Sequence, residues 1–196
     1  MSAAENAAQA VARVRRVEEG WQSTAGPFIT DPNSPDGAIR IYRELAQEAN
    51  GRALVLERGG VPLGFNSRQE FQSFGREARN GLMFAGQADA ELYLRGSSVT
   101  GYSYRTGRAF DVGRDSDYDV AIVSSRMMQQ ARTSGYQLRS GGNRTTELTP
   151  RQLQDLNLTS LVRTLSVRTG RKVTIMIYES EALIQSRGPN LKVPQF

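Results

Sequence analysis

The chain has no cysteine and no histidine. Their absence excludes Cys/His zinc sites, thiol nucleophiles, Ser-His-Asp triads and histidine general bases. Without cysteine the redox compartment stays undecided. Lysine is scarce: Lys172 and Lys192 are the only two among 25 basic residues, and the rest are Arg. Long apolar runs are missing too. None approaches the roughly 18 residues of a membrane span, and the N-terminus lacks the basic-then-apolar pattern of a secretory signal. The chemistry left to such a chain uses carboxylates, hydroxyls, Arg, Lys or Tyr, with a hard metal such as Mg²⁺ open to oxygen ligands.

What is present fits one domain. A chain of 196 residues with 38% hydrophobic and 23% charged residues can bury a core without staples. Its net charge of +5 favours a polyanionic partner, nucleic acid or nucleotide. Arg suits bidentate phosphate contacts. A codon bias toward Arg explains the identity of the basic residues equally well, but it leaves the sign of the charge unexplained.

Residues 2–20 are rich in Ala, the best helix former. We assign residues 1–30 to an N-terminal helical arm or linker and 31–196 to the domain. The patterning predicts a helix over 37–49, then a hairpin in "RALVLERGGVPLGF" with strand 52–58 and a Gly59-Gly60 turn. Ser67 and Glu70 form a capping-box pattern before a helix carrying Phe71, Phe74, Ala78 and Leu82. Strands follow at "AELYLRGSS", "YDVAIVS" and "KVTIMIY". Between them lie a helix over 125–133, a polar glycine-bearing loop "RSGGNRTTELTP", and a helix opened by Thr149-Pro150 that stops near Gly170. A short helix over 181–185 precedes a Pro-rich tail. The expected class is α+β, a small mixed sheet flanked by helices.

Two short stretches carry chemistry together. "LRGSSVTG", Leu94 to Gly101, ends a strand on glycines and small hydroxyl residues. Such a turn offers backbone N–H groups and hydroxyls to phosphates. About twenty residues later, Asp117 and Asp119 alternate across Tyr118 at the head of an apolar strand. Residues two apart in a strand point to one face. Two carboxylates so close repel unless a cation sits between them, and Mg²⁺ takes carboxylate oxygens plus substrate phosphates. Each half has a plain reading alone: a tight strand-to-helix turn, and two acids on an edge strand. Arg139 and Arg144 read first as a solvated loop, and Tyr102 and Tyr104 as packing residues. The order and spacing of the two halves favour the joint reading.

The string Leu94-Arg95-Gly96-Ser97, Gly101, Ser116-Asp117-Tyr118-Asp119-Val120 resembles the signature of the nucleotidyltransferase superfold. That group includes DNA polymerase β, minimal bacterial nucleotidyltransferases and the CCA-adding enzymes. The longer stretch through "TGRAFDVGRDSDYDVAI" also resembles the C-terminal toxin domains of bacterial polymorphic toxins, of the Rhs or contact-dependent kind. The resemblance covers about residues 65–180. It implies a nucleotidyltransferase-like fold with Asp117, Asp119 and Ser97 as catalytic residues. Gly96, Ser97, Ser98, Gly101, Arg95 and Ser116 would bind the nucleotide, and Asp117 and Asp119 would hold Mg²⁺ or Mn²⁺. The substrate would be an NTP, ATP among them. The acceptor would be RNA, tRNA first, or a protein hydroxyl. As a toxin it would be secreted or delivered into the target-cell cytoplasm, act there, and meet a cognate acidic immunity protein that covers the site. Two other readings stay open: a nucleotide- or RNA-binding module without turnover, and a pyrophosphate-transferring nucleotide enzyme.

The chain departs from the family in two places. The spacer from Gly96 to Asp117 is long, and its extra "YSYRTGRAFDVG" reads as a hairpin or flap with Tyr104, Arg105 and Arg108 near substrate. The family's third carboxylate, on a later strand, falls where Thr174 or Met176 stands. Glu179 and Asp111 are the candidates to replace it, or there is none.

Overall fold

A computed structural model describes residues 53–103 and 108–194. The arm over 1–30, the helix over 37–49 and the pair Tyr104 and Arg105 lie outside the described residues. The fold is α+β: a six-stranded mixed sheet with several helices. Its strands are β1 (Glu91–Arg95), β2 (Tyr118–Val123), β3 (Leu138–Arg139), β4 (Arg144–Thr145), β5 (Val173–Tyr178) and β6 (Leu191–Lys192), in the order β3-β4-β5-β2-β1-β6. The labelled helices are α1 (Arg68–Phe84), α2 (Ser97–Thr100), α3 (Ser125–Thr133), α4 (Pro150–Asp155), α5 (Thr159–Thr169) and α6 (Glu181–Gln185).

The centre of the sheet is β1, β2 and β5. β1 runs antiparallel to β2, and β2 runs parallel to β5. The parallel pair needs a crossover, and the chain from α3 to α5 supplies it. One sheet face presents Leu92, Leu94, Val120, Ile122, Ile175 and Ile177 to the main core. There α1 lays down Phe71, Phe74, Ala78 and Leu82, spaced as one helical stripe, and α5 adds Leu161 and Leu165. The other face carries a smaller cluster of Tyr93, Ala121, Tyr178 and Ile184, the last from α6. This second face also bears Arg95, Asp119 and Thr174, because cross-strand partners share a face.

Several elements differ from the sequence expectation, each for a local reason. Residues 53–57 are helical, not a strand. Ala, Leu, Glu and Arg favour a helix there, and the glycine pair ends it. Gly60 N–H bonds the Val55 carbonyl at 2.7 Å and Gly59 N–H bonds that of Leu56 at 2.9 Å, the Schellman pattern. The expected single helix from Pro150 to Gly170 is two. Asn157 takes a left-handed conformation (φ 57°), and Leu158 N–H closes back on the Leu153 carbonyl at 2.7 Å. The polar loop over 139–150 folds its first part into the hairpin β3–β4. The tail adds an edge strand, β6, to β1. The capping pattern at Ser67 is half formed: Ser67 Oγ accepts from Glu70 N–H, while the Glu70 carboxylate accepts from Asn66 N–H. No helix among the described residues is long and apolar enough to cross a membrane.

Candidate active site

β1 ends at Arg95, and the chain turns at Gly96 into the short helix α2. Gly96 has φ 69° and ψ −154°, a region essentially closed to residues with a side chain. The carbonyl of Gly96 accepts from the N–H groups of Val99 and Thr100, and the Thr100 hydroxyl donates to it as well. A Cβ on Gly96 would collide with Asp119 Oδ2. The glycine therefore serves twice: it makes the turn, and it lets backbone lie directly against a carboxylate.

Asp119 is the second residue of β2, facing Arg95 on one side and Thr174 on the other. Thr174 Oγ1 donates to Asp119 Oδ1 at 2.8 Å. Burial is the main force raising the Asp119 carboxyl above its ordinary range, and the charges of Asp117 and Glu147 add to it. The Thr174 hydrogen bond and the Arg95 charge pull the other way. Asp117 stands just ahead of β2, with Lys172 Nζ 4.0 Å from its Oδ2. That same lysine is held at 3.1 Å by Glu147.

A reciprocal pair fixes the loop that delivers Asp117. Asp111 N–H donates to Ser116 Oγ at 3.0 Å, and Ser116 N–H donates to Asp111 Oδ1 at 2.9 Å. Arg171 clamps Asp111 with two bonds of 2.7 Å and lies over the Phe110 and Tyr118 rings. Further back in the spacer, Tyr102 bridges Ala109 and Ser103 N–H bonds the Arg108 carbonyl, so residues 102–103 pair with 108–109.

Gly96, Ser97, Ser116, Asp117 and Asp119 line one cleft of about 260 Å³. Ser103, Arg108 and Arg114 line it too. Three of the sequence-selected residues do not. Arg95 turns across the sheet face to donate to the Tyr178 hydroxyl. Ser98 is buried and donates to the Arg95 carbonyl at 3.1 Å. Gly101 ends α2 in a left-handed conformation against Leu54. Ser103 and Arg114 were not singled out by the sequence; they sit in a spacer without periodicity. A broader, open depression between α1 and α5 is bridged by the Arg168–Glu77 ion pair and gathers no reactive groups.

The donors suit a hard divalent cation at this cleft. Two carboxylates converge on it, one of them costly to ionise when alone, and phosphate and water oxygens can complete the shell. Among the described residues no group of three or more acids forms a metal cluster. Of the two candidates for a third acid, Asp111 is clamped by Arg171 and Glu179 is paired with Arg132. No protein-family model matches the chain, nor does any curated protein or solved structure.

Proposed function

We propose that the protein is a metal-dependent nucleotidyltransferase with a nucleotidyltransferase-like fold, the toxin module of a larger secreted bacterial protein. It would transfer a nucleotide from an NTP to RNA or to a protein hydroxyl in the target cell. One observation supports this most: the Gly96 backbone lies against Asp119 with no side chain between them, in the cleft that Asp117 also lines. That is the placement needed to hold a triphosphate beside a carboxylate pair.

In this reading the turn at Gly96 and Ser97 seats the phosphates, and Arg108 and Arg114, which line the same cleft, would meet their charge. Asp117 and Asp119 would hold Mg²⁺ or Mn²⁺. That ion, when bound, polarises the α-phosphate and acidifies the attacking hydroxyl. Thr174 keeps the Asp119 carboxylate in one orientation. An acceptor oxygen bonds to the α-phosphorus, the bond to the β-bridging oxygen breaks, pyrophosphate leaves, and the hydroxyl proton passes to water. The engagement of Asp111 and Glu179 elsewhere favours the second reading, a nucleotide-binding module without turnover.

The test is a label-transfer assay with Mg²⁺, each α-labelled NTP in turn, and a bacterial lysate separated into RNA and protein. Label that appears in one fraction and disappears in the Asp117→Ala/Asp119→Ala variant supports transfer and names base and acceptor. NTP binding without label from any NTP sinks the nucleotide-transfer reading. A γ-labelled repeat then separates pyrophosphate transfer from binding alone.

A further inference from the structure

Three arginines outside the cleft gather on the second face of the sheet. Arg95 faces Asp119 across the β1–β2 pair. Its guanidinium lies 5.3 Å from the centre of the Tyr178 ring, donates to the Tyr178 hydroxyl, and donates through Nη2 to the Arg187 carbonyl at 2.8 Å. Arg144 is the register partner of Tyr178 on β4 and lies 5.9 Å from the same ring. Its other contacts are neutral: Ser140 Oγ at 3.0 Å and Met176 Sδ at 3.9 Å. Arg187 follows α6, half-buried beside them.

Neither Arg95 nor Arg144 forms an ion pair with a carboxylate among the described residues. Arg95 Nε is buried with no hydrogen-bond partner there. The three charges act on one another. Burial first, then the Arg144 charge, lowers the Arg95 guanidinium from its usual range; burial first, then Arg144 and Arg95, lowers Arg187. The acid that acts on Arg95 is Asp119, its cross-strand neighbour. Two other acids on this face are engaged elsewhere: Glu181 by the Tyr93 hydroxyl and Gln185, and Glu91 by Lys192. Like charges held together in a half-dry setting are costly unless an anion joins them, and arginine forks match phosphate oxygens.

We propose that Arg95, Arg144 and Arg187 bind a phosphate group of the acceptor, on the sheet face of Asp119 and beside the nucleotide cleft. The NTP has its own seat: Gly96, Ser97, Arg108 and Arg114 line the cleft, and none of these three arginines does. The word "acceptor" rests on the proposed transferase activity; the phosphate site does not.

Binding to the full chain is measured with three probes: a fluorescent ATP analogue with Mg²⁺, a labelled single-stranded RNA, and AMP. The variants are Arg144→Gln, Arg187→Gln and the double, each checked for folding by thermal melting. The double variant is expected to weaken RNA or AMP at least about tenfold, with the salt slope for RNA falling by about 0.7 per lost phosphate contact. ATP affinity is expected to stay within about twofold. Loss on RNA identifies a polynucleotide acceptor; loss on AMP alone identifies a nucleotide acceptor. Unchanged RNA and AMP binding, or a loss on ATP, overturns the proposal. If Arg144→Gln fails to fold, Arg187→Gln alone carries the test, because Arg187 lies outside the sheet. These measurements need no turnover. A failed label-transfer assay with the arginine effect intact would remove the transferase and leave the phosphate site standing.

Discussion

Thr174 Oγ1 donates a 2.8 Å hydrogen bond to Asp119 Oδ1 across the parallel pair β5–β2. The hydroxyl stands where the resemblance leads one to expect a third acid, and it steadies an existing carboxylate instead of adding a charge. Thr174 is buried, at 5% exposure. Replacing it by the isosteric Val leaves the Asp119 carboxylate one partner short. A hydrogen bond to a charged group contributes about 1.5–3 kcal/mol. Thr174→Val is therefore expected to lower stability by about 2 kcal/mol in urea denaturation, while Thr174→Ser keeps most of it. If the proposed activity holds, label transfer falls about tenfold in Thr174→Val, the equivalent of about 1.4 kcal/mol.

Gly96 has little room to change. Its backbone conformation costs any other residue about 1–3 kcal/mol, and a Cβ there would strike Asp119 Oδ2. Relief requires Asp119 to move off Thr174 or the turn to open. Gly96→Ala is expected to fold with a lower midpoint and to lose binding of a fluorescent ATP analogue by at least about tenfold, or about 1.4 kcal/mol. Wild-type affinity in that variant would show that the cleft tolerates a side chain between turn and carboxylate.

The central strands and α3 were legible because their signals were local. Alternating or continuous apolar residues marked β1, β2 and β5, and α3 spans Ser125–Thr133 as expected, with Ser124 as its N-cap. Position 59–60 was ambiguous in principle: a glycine pair serves a hairpin turn and a helix C-cap alike, and the backbone bonds of Gly59 and Gly60 decide between them. Asn157 hid a helix break because the stretch carries none of the usual breakers: the left-handed turn is made by an asparagine, with no glycine or proline between the two leucine groups. The strands β3, β4 and β6 are two residues long and too short for any periodicity. At the site, Gly96, Ser97, Asp117 and Asp119 could be read because order and spacing constrain them. Where the Arg95 side chain goes could not, because its partner Tyr178 lies 83 residues away.

The clamp on the spacer loop gives a pH dependence. The Arg171 hydrogen bonds, the largest influence, hold the Asp111 carboxyl below the usual carboxylate range; burial opposes them and the Ser116 N–H bond adds. A depressed native pKa stabilises the fold wherever the carboxyl is ionised. The contribution is full above the unfolded value, about 3.9, and is lost as pH falls through the lower folded value. Asp111 has φ 61°, which Asn also tolerates, so Asp111→Asn removes the charge and spares the backbone. With the carboxylate side chain 35% exposed, the expected loss is modest, about 1 kcal/mol at neutral pH. Denaturation curves of the two proteins should converge as the pH drops well below the unfolded carboxylate value. A constant difference at every pH would mean that Arg171 holds the loop through its ring contacts alone.

Gly75 sets helix propensity against packing. It lies inside α1, where Ala is better by about 1 kcal/mol. A Cβ there would strike the Pro194 carbonyl and press on Val193 Cγ1 at 3.3 Å. Val193 is buried, and its N–H bonds the Leu92 carbonyl at 2.8 Å, which ties the tail beside β1. Overpacking of this kind costs about 1–3 kcal/mol, enough to outweigh the helical gain. Gly75→Ala is thus expected to lower stability by about 1 kcal/mol and to speed hydrogen exchange at the Val193 amide more than in the central strands. If the variant is stabilised instead, the tail gives way at little cost, and β6 is an edge that the sheet does not need.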